Sequence, residues 1–127
     1  MYRFGARSLS NLMGVHQDLV NVMHRSIESA PHDFTVIEGV RSSTRQQKLV
    51  DEGKSKTLNS RHITGHAIDL AIIKDGKAVW DVQPYIELSL HIKAIAKGME
   101  IPIVWGGDFR TFFDGVHYEL DRKTYPA

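Results

Sequence analysis

Two short stretches of this chain place imidazoles and carboxylates at spacings that suit metal chemistry. The first is Ser60-Arg61-His62-Ile63-Thr64-Gly65-His66-Ala67-Ile68-Asp69, where an imidazole and a carboxylate stand seven positions apart with a glycine between them. The second is Asp114-Gly115-Val116-His117-Tyr118-Glu119, nearer the C-terminus. Together they offer two imidazoles and one carboxylate as ligands, and a further carboxylate as a base. That is the set a catalytic zinc ion uses. Spacing alone leaves the plainer alternative open, in which these are solvated histidines and turn-forming acids.

In the metal reading, His62 precedes a strand and Asp69 lies within it. Seven positions along one continuous strand would put the two side chains on opposite faces, so the backbone must turn between them. Gly65 is where that turn costs least. His117 is the natural third ligand, brought in by a neighbouring strand, and three protein ligands leave a fourth position for water. Asp114, three positions before His117, can take a proton from that water. Arg41 offers forked donors to a substrate carbonyl or carboxylate, or it pairs with a surface acid. Ser60 is a candidate to orient substrate or a ligand. Glu119 shares a strand face with His117 and can act as the outer partner of a ligand histidine. His66 would pair with His62 only on a helix, which Gly65 and the following strand argue against. His16, His24, His32 and His91 read as solvated, Asp108 as a turn residue, and Trp80, Trp105, Phe112 and Tyr118 as packing residues.

The elements that must position these groups follow from periodicity. Leu19, Val22, Met23 and Ile27 recur at helical spacing over residues 16–29, with a short helix around Leu9 and Leu12 before Gly14. Phe34 to Glu38 is rich in β-branched and aromatic residues and reads as a strand. Residues 44–52 suit a short polar helix closed by Gly53, and a polar loop covers residues 54–59. Residues 67–73 form the next strand. Asp75-Gly76 is a strong hairpin signal leading into residues 78–80. Tyr85, Leu88, Ile92, Ile95 and Ala96 mark a helix that begins near Pro84. Short strands over residues 101–105 and 116–120 flank the turn Gly106-Gly107-Asp108. This mixture predicts an α+β fold with a small, mostly antiparallel sheet packed with helices.

Composition narrows the class. A chain of 127 residues that is 42% hydrophobic can build a core, and it suits one domain. A net charge of +1, without a basic cluster interleaved with aromatics, argues against a nucleic-acid partner. There is no cysteine, which excludes disulfides and thiolate zinc sites. The N-terminus has no apolar signal core and no run is long enough for a bilayer, so synthesis in a cytoplasm without stable membrane association is expected.

The two stretches resemble the zinc peptidases that share a fold with D-Ala-D-Ala carboxypeptidases, D-Ala-D-Ala dipeptidases and the Hedgehog signalling domain. That pattern is Ser-x-His-x-x-Gly-x-Ala-x-Asp, then acid-x-x-His. Ser60, His62, Gly65, Ala67 and Asp69 match the first part, and Asp114 and His117 the second. The short branch, L-alanyl-D-glutamate endopeptidases of phage endolysins and bacterial wall hydrolases, is the most similar. Asp114 in place of glutamate, the stretch Trp105-Gly106-Gly107-Asp108-Phe109, and an N-terminal segment with Phe4-Gly5, Ser8-Leu9, Val15-His16 and Asp18-Leu19 point there.

The resemblance implies one zinc ion held by His62, Asp69 and His117. It also implies Asp114 as catalytic acid and base, and Arg41 and Ser60 as substrate or transition-state contacts. His66 inherits no role. The implied activity is hydrolysis of the L-alanyl-D-glutamate bond of the peptidoglycan stem peptide, causing lysis. The implied organisation is a monomeric catalytic domain over residues 1–127, without a separate wall-binding domain, that reaches the wall through a pore formed by another phage protein. The alternatives are a D-Ala-D-Ala carboxypeptidase or dipeptidase, and a non-catalytic zinc-binding module that docks on the wall.

Overall fold

The computed structural model describes residues 1–55 and 57–127, so one residue of the expected polar loop, Lys56, lies outside the described residues. In chain order the elements are α1 (Ala6–Asn11), α2 (Gln17–Glu28), β1 (Asp33–Glu38), α3 (Ser43–Asp51), β2 (Ala67–Lys74), β3 (Lys77–Val79), α4 (Val82–Gly98), β4 (Ile103–Trp105), a 3-10 turn (Gly106–Asp108) and β5 (His117–Leu120). The expected elements are all present, with ends shifted by a residue or two. One such shift is at β4, which starts after Pro102, a residue that has no N–H to give a ladder.

The strands form one sheet in the order β1-β2-β5-β4, with every pairing antiparallel. The apolar run of β2 is long enough to serve three partners. β1 lies along one side, while β5 and then β3 share the other. The β2–β3 hairpin turns at Asp75 and Gly76, both at positive φ (53° and 77°), as a tight two-residue turn requires.

Register gives the sheet two unlike faces. Ile68 is paired with Tyr118, Leu70 with Val36 and Ile72 with Phe34, and these side chains are buried together. They join Leu19, Val22, Met23 and Ile27 of α2 and Tyr85, Leu88, Ile92 and Ala96 of α4 in one apolar cluster. The opposite face carries Asp69, which pairs with His117 on one side and Glu38 on the other, and Glu119 opposite Ala67. Simple alternation would put Glu38 on the apolar face with Phe34 and Val36. A bulge between Val36 and Glu38 inserts one residue and turns Glu38 to the polar side. Among the described residues no helix is long and apolar enough to cross a membrane.

Candidate metal centre

Three elements meet on the polar face. β2 presents Asp69 and β5 presents His117 directly across from it. His62 comes from the loop before β2, which folds back at Gly65 (φ +77°). A side chain at Gly65 would stand 2.7 Å from the Gly14 carbonyl oxygen, so close approach as well as backbone conformation requires glycine. The Gly65 carbonyl also accepts the His16 amide at 2.8 Å, tying this loop to the N-terminal segment.

Asp69 Oδ1 lies 3.2 Å from His62 Nε2 and 3.2 Å from His117 Nδ1. One ligand atom from each of these three side chains falls within 4.8 Å of the other two. Tetrahedral coordination with bonds of about 2.0–2.1 Å has edges of about 3.3–3.4 Å, so the spacing suits zinc. The outward nitrogens are occupied as metal-binding imidazoles require. His62 Nδ1 donates to the Gly39 carbonyl at 2.9 Å, and His117 Nε2 donates to Glu119 at 3.0 Å. A neutral ring protonated on that outer nitrogen has its inner nitrogen free to bind a metal. Glu119 is itself held by Arg122 Nε at 3.1 Å, with the buried Arg61 guanidinium 3.7 Å away.

The electrostatics follow from this crowding. Burial pushes Asp69 up, but hydrogen bonds from His117 and His62 outweigh it and hold the carboxyl far below the usual carboxylate range. Burial pulls His117 down, yet hydrogen bonds to Asp69 and Glu119 raise it to about 9. Burial and then the charge of Asp69 raise Asp114. Asp114 is half-buried beside the cluster. Its β-carbon and that of His117 each lie 3.0 Å from the point a Gly106 side chain would occupy. The Asp114 carbonyl accepts the His117 amide at 3.2 Å, which joins the candidate base to the strand carrying the candidate ligand.

Arg41 is 8% exposed and firmly engaged. Nε donates to Glu38 at 2.7 Å, Nη1 donates to Gln46 at 2.8 Å, and Nη2 lies 3.7 Å from Asp69 Oδ2. Its partner is thus the bulge-turned Glu38 of the site face rather than a surface acid. The Ser60 hydroxyl accepts the His62 amide at 3.2 Å, so Ser60 shapes the loop that carries His62. His66 faces away, bonding Thr64 at 2.8 Å and packing against His16.

Several expectations need correction. Trp80 and Phe112, expected as packing residues, are 63% and 48% exposed, because each sits on a connecting segment rather than on the apolar sheet face. Trp105 and Tyr118 are buried as expected. His16, His32 and His91 are not merely solvated: His16 caps α2, His32 pairs with Glu87, and His91 bonds the Ser26 carbonyl. Sequence reasoning missed Arg61, Glu38, Gln46 and Gly39. Arg61 lies between Ser60 and His62, but nothing local shows that its guanidinium reaches the carbonyls of Leu120 and Tyr125.

The profile of the family described as phage L-alanyl-D-glutamate peptidase matches residues 1–127. The chain belongs to that family. It is 31% identical over 128 residues to the L-alanyl-D-glutamate peptidase of Escherichia phage T5, covering 98% of this chain and 93% of that one. It is 33% identical over 103 residues to the peptidoglycan L-alanyl-D-glutamate endopeptidase CwlK of Bacillus subtilis (strain 168), spanning 69% of this chain and 60% of that relative. The crystal structure of Serratia marcescens L-Ala D-Glu endopeptidase ChiX superposes with a TM-score of 0.92 at 39% identity, over 98% of this chain and 95% of that one. Membership makes the chain a peptidase, and the α+β fold expected from its sequence is that of a family relative.

Proposed function

We propose that this chain is a zinc-dependent endopeptidase that hydrolyses the L-alanyl-D-glutamate bond of peptidoglycan stem peptides and so lyses the cell wall. The observation that carries the reading is the convergence of His62 Nε2, Asp69 Oδ1 and His117 Nδ1, with both outer nitrogens already bonded. The relatives named for this activity support the choice of bond.

In this reading His62, Asp69 and His117 hold the ion. Zinc bound there supplies Lewis acidity to a water molecule and to the scissile carbonyl. Asp114 takes the proton of the attacking water and gives it to the leaving amine of D-glutamate. In the metal-free protein burial and then Asp69 raise its carboxyl, which makes it a better proton acceptor than a free one. Arg41 keeps the second oxygen of Asp69 oriented and brings positive charge to the place where the oxyanion develops. Glu119 fixes the His117 tautomer, and Ser60 fixes the loop of His62.

Mass spectrometry of purified peptidoglycan digested with and without a chelator tests the reading. New D-glutamate N-termini that vanish with chelator and return with zinc are expected. Release of free D-alanine without such termini would sink the choice of bond and favour the carboxypeptidase reading.

A further inference from the structure

The segment between the 3-10 turn and β5 sets the Phe109 ring beside the candidate metal centre and carries two more phenylalanines after it. The Phe109 ring lies 5.7 Å from that of His117, and Phe112 packs on Phe109 at 5.2 Å. Phe113 stands edge-on to Trp105 at 5.8 Å. The strip continues past Gly115. A side chain there would meet the Phe113 ring at 2.8 Å and lie 3.7 Å from the Tyr85 β-carbon. Trp80 then stacks parallel to Tyr85, at 6.4 Å and 3°. Trp80, Phe112 and Phe113 are 63%, 48% and 53% exposed. Exposed aromatics grouped in this way mark a binding surface, because leaving them in water has a cost that folding alone gives no reason to bear.

We propose that this strip grips the glycan strand of peptidoglycan and holds the sugar that carries the scissile stem peptide against the site. The inference rests on the stem-peptide reading above. In that polymer the L-alanine is amide-linked to the lactyl group of a muramic acid, so the alanine and the lactyl unit separate the sugar ring from the scissile carbonyl. Two such extended units cover about 7 Å, the scale of the distance from the site to the first side chains beyond His117. Phe109, 5.7 Å from the His117 ring, and Phe112, packed on Phe109, lie within that reach.

A pyranose ring turns a face of axial C–H groups toward an aromatic plane while its hydroxyls stay in water at the edge. Each such contact is weak, and a repeating polymer engages several at once, so an open strip suits it better than a closed pocket. The peptide on the far side of the scissile bond carries carboxylates and an amine, which uncharged rings do not recognise. A lipid surface would need a basic fringe, and residues 109–115 hold one arginine offset by one aspartate.

The test compares kcat/KM on a glycan-linked stem peptide with kcat/KM on the same peptide without sugar. Wild-type protein, the double variant Phe112→Ala/Phe113→Ala and the more distant Trp80→Ala are assayed. The ratio of glycan-linked to free peptide should fall about tenfold in the double variant, the scale of two lost aromatic contacts. It should fall with Trp80→Ala only on chains longer than one disaccharide. For wild-type protein, where folding is not in question, an N-acetylglucosamine oligomer should compete with the glycan-linked substrate and leave the free peptide unaffected. Equal losses on both substrates, or no competition, would overturn the proposal. So would co-sedimentation with anionic phospholipid vesicles that the double variant abolishes while the substrate ratio stays unchanged. Wild-type protein that cleaves neither substrate would instead bring down the stem-peptide reading on which this rests.

Discussion

The two faces of β2 differ by one residue along the chain and by everything in their physics. Ile68, Leu70 and Ile72 point into the apolar cluster with α2 and α4. Asp69, flanked by the small Ala67 and Ala71, points to the polar face opposite His117 and Glu38. The apolar face works by exclusion of water, which has no direction and is roughly proportional to area. The polar face works by direction: Arg122 donates to Glu119, Glu119 accepts from His117, and His117 in turn meets Asp69, so each contact orients the next. Stability and chemistry are therefore separable by parity on a single strand.

The sharpest break of that comparison is the pair Asp69→Ala and Leu70→Ala. Asp69→Ala should remove stoichiometric zinc and reduce hydrolysis to background while leaving the folded far-UV signal. Leu70→Ala should cost about 2–5 kcal/mol of unfolding free energy and retain zinc. Denaturant melts and metal analysis on both variants decide the matter, and zinc loss from Leu70→Ala at a temperature where it is folded would show that the faces are coupled.

Asp114→Asn comes next. It keeps the shape and removes the base, so kcat should fall by about 10²–10⁴-fold with zinc content unchanged. Lysis at near wild-type rate would mean that Asp114 is only a turn residue. Glu119→Gln retains a hydrogen-bonding side chain but removes the charge behind His117. Zinc affinity should weaken about 10–100-fold, measured against a competing chelator. Unchanged affinity would confine Glu119 to its contacts with Arg122 and Arg61.

The gentlest probe is pH. In the metal-free protein His117 is raised to about 9 by Asp69 and Glu119 despite its burial, so a cation must displace a proton at neutral pH. Apparent zinc affinity should climb about tenfold per pH unit from pH 7 and level off above about 9. A flat profile would remove His117 from the ligand set. The same raised value has a stability consequence. The protonated imidazole stabilises the metal-free fold fully below its ordinary pKa, and that contribution is lost as pH rises through about 9. The melting temperature of the metal-free protein should fall across this window.

Residue types and local periodicity were enough to read the elements, the antiparallel α+β class and the ligand candidates His62, Asp69 and His117. Helical stripes and β-branched runs are short-range signals, and the glycine between His62 and Asp69 announces its own turn. The register was not readable. Which residue of β5 stands across from Asp69 depends on pairing across 48 positions, and the bulge that turns Glu38 to the site has no local signature. Arg41 and Arg61 were ambiguous for the same reason, since a long flexible side chain takes its meaning from partners that only the fold supplies. Trp80 and Phe112 likewise read as core because aromatic residues are usually buried, and only tertiary packing left them exposed. By itself the sequence determined which groups could do the chemistry. The tertiary structure decided which of them face one point, because direction across a sheet is set by long-range pairing.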